Sequence, residues 1–207
     1  MFQFEAKHIF SVPILSVSLD GLSDKIKLES IIRDEIKINP NADTLNKVLQ
    51  SYPNLQHKKS VSSLVRHIRE GVEVIANQVY QYDSSYEIDI TAMWANIQQP
   101  GKRFNRHSHH NNIFSGVFYA NSDDEFPHIE FFTPVQSQLQ PTLKECNIFN
   151  SDTWREPCEK DRLLIFPSWL KHEVDINNSD KDRLSISFNV MLRGRYDGIE
   201  SLQSTVI

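Results

Sequence analysis

The sequence predicts a mainly β protein of the α+β class, a jelly roll with N-terminal helices packed on the outside. Apolar residues recur at helical spacing in the first part of the chain, and from about residue 86 their period shortens to two, as in half-buried strands. Turn signals divide this second part into short segments. We expect one domain in 207 residues, with the helical support at roughly 22–82 and the jelly-roll core at roughly 86–192.

The first elements are an edge strand and two helices. Residues 8–20 are β-branched and apolar around a proline, which cannot donate to a central ladder. Ser23 is the predicted N-cap of the first helix. The second helix carries an apolar stripe from Val61 to Val79, which suits core packing and a dimer contact equally, so a homo-oligomer stays open. Residues 40–59, between the helices, are expected to form a surface connection.

The rest of the chain is predicted to be mostly strand. Apolar and polar residues alternate there, and clusters of Asn, Asp, Ser, Pro and Gly separate the segments. The candidate strands begin at residue 86 and continue at 104–109, 113–120, 128–133, 162–166, 170–176 and 183–192.

The composition excludes several classes of protein. Hydrophobic residues make up 39% and charged residues 24%, close to globular averages, so we expect neither disorder nor a fibrous repeat. A net charge of -5 argues against a broad electrostatic contact with nucleic acid. No apolar run approaches the ~20 residues that cross a bilayer, so no membrane partner is expected. Cys146 and Cys158 lack CxxC spacing, which favours reduced thiols over a disulfide.

Histidines form the first chemical signal. His107 and His109 are separated by one residue, so on a strand both side chains would project from one face. Imidazole is a ligand for iron, zinc, copper and nickel, but the pair alone is more typical of hydrogen-bonded surface histidines. A third histidine, His172, lies on another candidate strand. The sequence therefore predicts a metal site if these two segments meet.

A strictly alternating strand begins at Arg183, eleven residues after His172. Its apolar residues face one side, while Arg183 and Ser185 face the other. If the polar side looks into the barrel, Arg183 offers a planar fork to a carboxylate, and the Ser185 hydroxyl is a second donor. The alternative is a polar stripe that faces solvent.

Six sequence blocks together resemble a known family. The blocks are Trp94-x-Asn96, Pro100-Gly101, His107-x-His109, Ser115-Gly116-Val117-Phe118-Tyr119, Leu164-x-Phe166-Pro167-Ser168-Trp169-Leu170-x-His172 and Arg183-x-Ser185-x-Ser187-Phe188-Asn189. This pattern resembles the 2-oxoglutarate- and Fe(II)-dependent oxygenases common in tailed bacteriophages and marine bacteria. The resemblance covers about residues 90–191, and the last two blocks are specific.

The resemblance implies a double-stranded β-helix and a non-haem dioxygenase that hydroxylates an unidentified substrate with decarboxylation of 2-oxoglutarate. Fe(II) is the implied metal, and the implied partners are 2-oxoglutarate, dioxygen and an acceptor. The implied metal ligands are His107, His109 and His172. The implied cosubstrate-binding residues are Arg183, Ser185, Asn96 and Tyr119. No leader segment is evident, so we expect a cytoplasmic protein, in the host-cell cytoplasm if a phage encodes it.

One position departs from the wider superfamily, in which most members use two histidines and one carboxylate. The residue two positions after His107 is His109, so the site has three histidines as written. A carboxylate such as Glu130 or Asp175 completing the site, or only one of the clustered histidines binding, stays open. We also expect Trp94, Phe118 and Phe131 to line the pocket.

Two other functions stay open. A zinc hydrolase with an open water position would use the same three histidines, but it gives Arg183 no role. A noncatalytic jelly-roll module, structural or binding, would make the histidines incidental.

Overall fold

The computed structural model describes residues 3, 5, 9–39, 48–135, 139, 141–197 and 201–207. Its helices lie in the N-terminal part and include two short 3₁₀ turns. They are α1 (Leu22–Lys25), α2 (Leu28–Ile38), the 3₁₀ turns Leu55–His57 and Lys59–Val61, and α3 (Ser62–Glu73), which continues as a π-helical segment, Val74–Val79. No helix among these described residues is long and apolar enough to cross a bilayer.

The N-cap predicted at Ser23 is wrong. Ser23 lies inside α1, and the residue at the N-cap position is Gly21, which has no side chain that could cap the helix. The carboxylate of Asp161 instead accepts the backbone N–H groups of Gly21, at 3.0 Å, and Ser23, at 2.8 Å. The cap is therefore supplied by a residue far along the chain, and local sequence carries no signal for it.

The strands form two main antiparallel sheets. The six-stranded sheet has the order β1-β8-β5-β10-β3-β2, and the four-stranded sheet has the order β4-β9-β6-β7. A separate β11-β12 pair lies near the C-terminus. The strands are β1 (Leu15–Ser18), β2 (Leu49–Gln50), β3 (Glu87–Gln98), β4 (Phe104–His107), β5 (Phe114–Tyr119), β6 (Ile129–Phe132), β7 (Thr153–Glu156), β8 (Arg162–Pro167), β9 (His172–Val174), β10 (Arg183–Arg193), β11 (Arg195–Tyr196) and β12 (Thr205–Val206).

Every predicted strand is present, and most have ends shifted by a few residues, but the N-terminal strand predicted at 8–20 is confined to Leu15–Ser18. This strand lies at a sheet edge, as predicted, although the proline behind that prediction, Pro13, precedes the strand. The sequence did not indicate β7, and β2 falls within the stretch predicted as a surface connection. Residues 40–47 of that connection lie outside the described residues.

Two hydrophobic cores fill the molecule. One lies between the helices and the outer face of the six-stranded sheet, and it includes Leu64 and Ile68 of α3 and Ile186 of β10. The other lies between the two sheets, and it includes Phe131 of β6 and Phe166 of β8. The predicted arrangement, with helices outside a jelly roll, is confirmed.

Gly116 is required where β5 passes between its neighbours. A Cβ at this position would collide with the Phe188 ring and with the backbone carbonyl of Leu164. Because backbone cannot swing aside, we expect Gly116→Ala to lower the free energy of unfolding by about 1–3 kcal/mol, measured by urea denaturation.

Gly71 provides the matched control. A Cβ there would meet the end of the flexible Ile165 side chain, and alanine favours a helix over glycine. We therefore expect Gly71→Ala to be close to neutral, and equal losses in both variants would contradict this account.

Candidate metal centre

Three histidines converge at one end of the space between the sheets. His107 at the end of β4 is the register partner of His172 on β9. Their ring centroids are 4.4 Å apart, and the His109 centroid lies 5.1 Å from that of His107 and 5.3 Å from that of His172. One nitrogen from each ring lies within 4.8 Å of the others, so the three could hold one ion.

His109 lies just beyond β4 rather than on it. Its backbone N–H donates to the carbonyl oxygen of Ser168 at 2.9 Å, which ties it to the turn preceding β9. The register of β4 also shifts between Phe104 and His107. The two histidines therefore meet through an irregular strand end, where the sequence pattern had placed both on a regular strand.

Backbone carbonyls orient two of the imidazoles. The carbonyl oxygen of Asn105 lies 2.7 Å from Nδ1 of His107, and that of Leu170 lies 2.9 Å from Nδ1 of His172. A carbonyl can only accept, so Nδ1 carries a hydrogen in both rings and Nε2 is the nitrogen left to bind a metal. Metal-binding histidines are commonly held this way.

Burial keeps two of the rings neutral. Desolvation lowers the pKa of His172 to about 3. Desolvation, followed by the neighbouring His107, lowers the pKa of His109 to about 4. Both imidazoles are therefore uncharged at neutral pH, the form in which histidine binds a metal.

No carboxylate belongs to this cluster among the described residues. Glu130, considered from sequence as a fourth ligand, accepts a hydrogen bond from Arg155 at 2.8 Å. Asp175 is exposed, and its side chain accepts the N–H of Ile176. The geometry therefore favours a three-histidine site.

Arg183 lies at a closed part of the same cavity. Only 2% of its surface is exposed, and it lines the cavity together with Ser185, Ser187 and the three histidines. The apolar residues of β10 face the helical core instead. Of the two orientations that the sequence left open for this strand, the inward-facing one is observed, with Arg183 and Ser185 in the cavity wall, and the solvent-facing one is wrong.

The Arg183 guanidinium has no carboxylate partner among the described residues. Its Nη1 donates to Oε1 of Gln98 at 3.3 Å, and its Cζ lies 4.9 Å from the centre of the Tyr119 ring. Its Nε and the Tyr119 hydroxyl are both buried without a hydrogen-bond partner. Burial raises the pKa of the Tyr119 phenol, so its hydroxyl remains a donor. A buried positive charge without a negative counter-charge is costly, and an anionic ligand would supply that counter-charge.

The remaining predicted residues are placed as follows. Asn96 lines the cavity, where it accepts from Nε2 of Gln50 at 2.8 Å and donates to Oγ of Ser187 at 2.9 Å. Trp94 lines it as well and stacks on His109 with a centroid distance of 6.0 Å.

The pocket-lining role predicted for Phe118 is wrong, because this residue packs in the helical core on the opposite face of β5. Phe131 does not line the cavity either: it is buried in the core between the sheets, where its ring centroid lies 6.0 Å from that of His172. Sequence reasoning gave no role to Phe166, which packs edge-on against His172, or to Gln98 behind Arg183. Gln98 shares a strand face with Asn96, and this two-residue spacing could have identified Gln98 from the sequence.

Both cysteines are free, as predicted.

The chain is similar to one family and to several solved structures. Residues 92–189 match a family described as "Putative 2OG-Fe(II) oxygenase". No curated protein matches the chain. A prolyl-4-hydroxylase from Pseudomonas putida is 15% identical with a TM-score of 0.62, and the match covers 89% of this chain and 95% of that one.

Two further structures extend this similarity. The epimerase SnoN in complex with Fe3+, alpha ketoglutarate and nogalamycin RO is 11% identical with a TM-score of 0.63, covering 88% of this chain and 80% of that one. A prolyl hydroxylase from Trichoplax adhaerens, in complex with a hypoxia inducible factor peptide fragment, is 12% identical with a TM-score of 0.60, covering 86% and 83%. At these identities the similarity shows the fold.

Proposed function

We propose that this chain is a 2OG-Fe(II) oxygenase that uses Fe(II) and 2-oxoglutarate, because residues 92–189 match the model of that family; a role for each residue of the site follows from this proposal. The reaction we propose is hydroxylation of an acceptor, coupled to decarboxylation of 2-oxoglutarate to succinate and carbon dioxide. When bound, the iron would supply the chemistry by which one dioxygen molecule oxidises both the acceptor and 2-oxoglutarate. The protein's own residues supply binding, orientation and a desolvated cavity.

His107, His109 and His172 are the proposed iron ligands. Their nitrogens lie within 4.8 Å of one another, and in two of the rings a backbone carbonyl holds a hydrogen on Nδ1, which leaves Nε2 to bind a metal. With three neutral ligands the site keeps the full charge of the ion, so we expect an anionic cosubstrate to be attracted more strongly than in a carboxylate-containing site.

Arg183 is the proposed anchor for the distal carboxylate of 2-oxoglutarate. The observation that carries the proposal is its buried guanidinium, unpaired at Nε, beside the unpaired hydroxyl of Tyr119. A carboxylate would accept from both groups, and the nearby Ser185 hydroxyl offers a third donor. Asn96, whose amide is held by Gln50 and Ser187, is proposed to shape the cosubstrate pocket.

The acceptor is proposed to enter on the His107 side of the cavity. The His107 side chain is exposed, whereas His172 is 5% exposed and Arg183 is 2% exposed. This gradient of burial supports an opening at His107 and a closed end at Arg183. The cosubstrate would therefore lie deep in the cavity, with the acceptor nearer to solvent.

Ligand-dependent stability tests the proposal against its two rivals. We expect Mn(II), a redox-stable substitute for Fe(II), to raise the melting temperature, and 2-oxoglutarate to raise it further only when metal is present. At a ligand concentration of about one hundred times Kd, the added stability is about 2.7 kcal/mol, or about 5–10 °C in Tm.

The rival functions give different results in the same scan. A zinc hydrolase would be stabilised by Zn(II) and would not respond to 2-oxoglutarate. A noncatalytic module would respond to neither, and either pattern would rule out the proposed oxygenase.

A further inference from the structure

We infer that Gln98 is a positioning residue for cosubstrate binding: its amide orients the Arg183 guanidinium and, being neutral, leaves the guanidinium charge available to the incoming carboxylate. The inference rests on the proposed role of Arg183 as the carboxylate anchor. It adds a residue that would touch neither the metal nor the cosubstrate and would act through Arg183.

The position of Gln98 is fixed by strand pairing. Gln98 on β3 and Arg183 on β10 are register partners, so their side chains stand side by side on the inner face of the sheet. Gln98 is 0% exposed, and its Oε1 accepts a hydrogen bond from Nη1 of Arg183 at 3.3 Å. The contact is therefore fully buried behind the cavity wall.

The orientation of the Gln98 amide is fixed by its other end. Nε2 donates to the backbone carbonyl oxygens of Lys102, at 2.9 Å, and Asp175, at 2.8 Å. A flipped amide would place Oε1 against two carbonyl oxygens, and none of these atoms can donate. Oε1 must therefore face Arg183, and the amide cannot turn away without losing two hydrogen bonds.

These two carbonyls also connect the anchor to the histidine cluster. Lys102 lies two residues before β4, which ends at His107, and Asp175 directly follows β9, which begins at His172. One side chain thus bonds to the segments next to both histidine-bearing strands and to the guanidinium. Gln98 would therefore fix the distance between the metal site and Arg183. The length of the cosubstrate has to match this distance, because the cosubstrate binds at both places.

The neutral charge of Gln98 is the second part of the inference. A carboxylate in this place would form an ion pair with Arg183 before any ligand arrived, and the cosubstrate would have to displace it. The amide accepts from the guanidinium without neutralising it. The protein thereby retains a buried positive charge that selects a 2-oxo acid with a second, distal carboxylate.

The test compares two acids in metal-loaded, full-length protein without oxygen. Dissociation constants for 2-oxoglutarate and for 2-oxobutanoate, which lacks the distal carboxylate, are measured by calorimetry with Mn(II) present. The variants are Gln98→Glu, Gln98→Met and, as a charge control, Gln99→Glu, which adds the same charge at the next residue.

We expect Gln98→Glu to weaken 2-oxoglutarate binding by about tenfold to one hundredfold, because one carboxylate oxygen forms an internal ion pair that competes for the guanidinium, while the other can no longer donate to the carbonyl oxygens of Lys102 and Asp175. Binding of 2-oxobutanoate and of Mn(II) should change by less than about threefold, since neither uses the guanidinium. Gln98→Met, which leaves the charge free but unoriented, should show a smaller loss confined to 2-oxoglutarate. Gln99→Glu should bind both acids as the wild type does.

Loss of both acids in parallel, or loss of metal, in either Gln98 variant would mean a merely structural role and would overturn the inference. An unchanged preference for 2-oxoglutarate in Gln98→Glu would also overturn it. If Gln98→Glu does not fold, the selective loss is required of Gln98→Met. Wild-type protein that binds metal but not 2-oxoglutarate would instead refute the proposed function, and this inference with it.

Discussion

Replacing Arg183 by methionine is expected to weaken 2-oxoglutarate binding by about one hundredfold or more while leaving the metal affinity almost unchanged. Two hydrogen bonds between a guanidinium and a carboxylate are lost, each worth about 1.5–3 kcal/mol, and every 1.4 kcal/mol is about a factor of ten. The methionine side chain fills similar space, so the cavity should keep its shape.

The same substitution should not destabilise the ligand-free protein. Arg183 is 2% exposed and its Nε has no partner, so folding buries a positive charge that has no carboxylate beside it among the described residues, and the neutral Gln98 compensates it only in part. We expect the free energy of unfolding of ligand-free Arg183→Met to equal or exceed that of the wild type in urea denaturation. If Arg183 served only stability, the substitution would instead lower the free energy of unfolding.

Arg193→Met is the matched control for this experiment. Arg193 lies on the same strand but outside the cavity, where its Nε forms an exposed ion pair with Asp89 at 2.6 Å. Such surface pairs contribute about 0–1 kcal/mol, so this variant should bind 2-oxoglutarate normally. Equal weakening in both arginine variants would show that net charge, and not the anchor, controls binding.

Replacing His172 by alanine is expected to reduce metal affinity by more than about one hundredfold, since a direct ligand contributes more than the 10–100-fold typical of its outer-shell partners. Cosubstrate binding should be lost with the metal. His172 is the most buried of the three histidines, and among the described residues the cluster contains no fourth metal-binding side chain that could replace its Nε2. Metal content is measured after dialysis against a fixed concentration of free Fe(II) or Mn(II).

His110→Ala is the control from the same histidine cluster. His110 is exposed and lies outside the group of three close nitrogens, so its removal should leave metal content unchanged. His107→Ala and His109→Ala should both lose metal. If only one of these two variants lost it, the site would have two histidine ligands and an unrecognised third group.

The sequence predicted the parts of this molecule that depend on periodicity. Strict alternation in β10 indicated that Arg183 and Ser185 lie on one side of the strand and the apolar residues on the other. In the structure the apolar side packs against the helices, so the side with Arg183 and Ser185 faces the cavity. The helical stripe beginning at Val61 likewise indicated the packing of α3 on the sheet, although its last residue, Val79, is exposed at the end of the π-helical segment. In each case one local pattern matches one buried face.

The parts that escaped prediction depend on contacts between distant residues. Asp161 caps α1 from the far end of the chain, and no residue near Ser23 indicates it. The convergence of His107 and His109 uses an irregular strand end, which a two-residue period cannot describe. Phe118 was expected to line the pocket, but it alternates with Tyr119, which does line the cavity, so Phe118 faces the helical core instead.

The most direct test of the central claim is an anaerobic titration of Fe(II)-loaded protein with 2-oxoglutarate, followed by the visible metal-to-ligand charge-transfer band. We predict a band that saturates at one 2-oxoglutarate per chain in the wild type, that requires a much higher concentration in Arg183→Met, and that is absent in His172→Ala. Protein that holds iron at the three histidines but shows no band at any 2-oxoglutarate concentration would contradict the account.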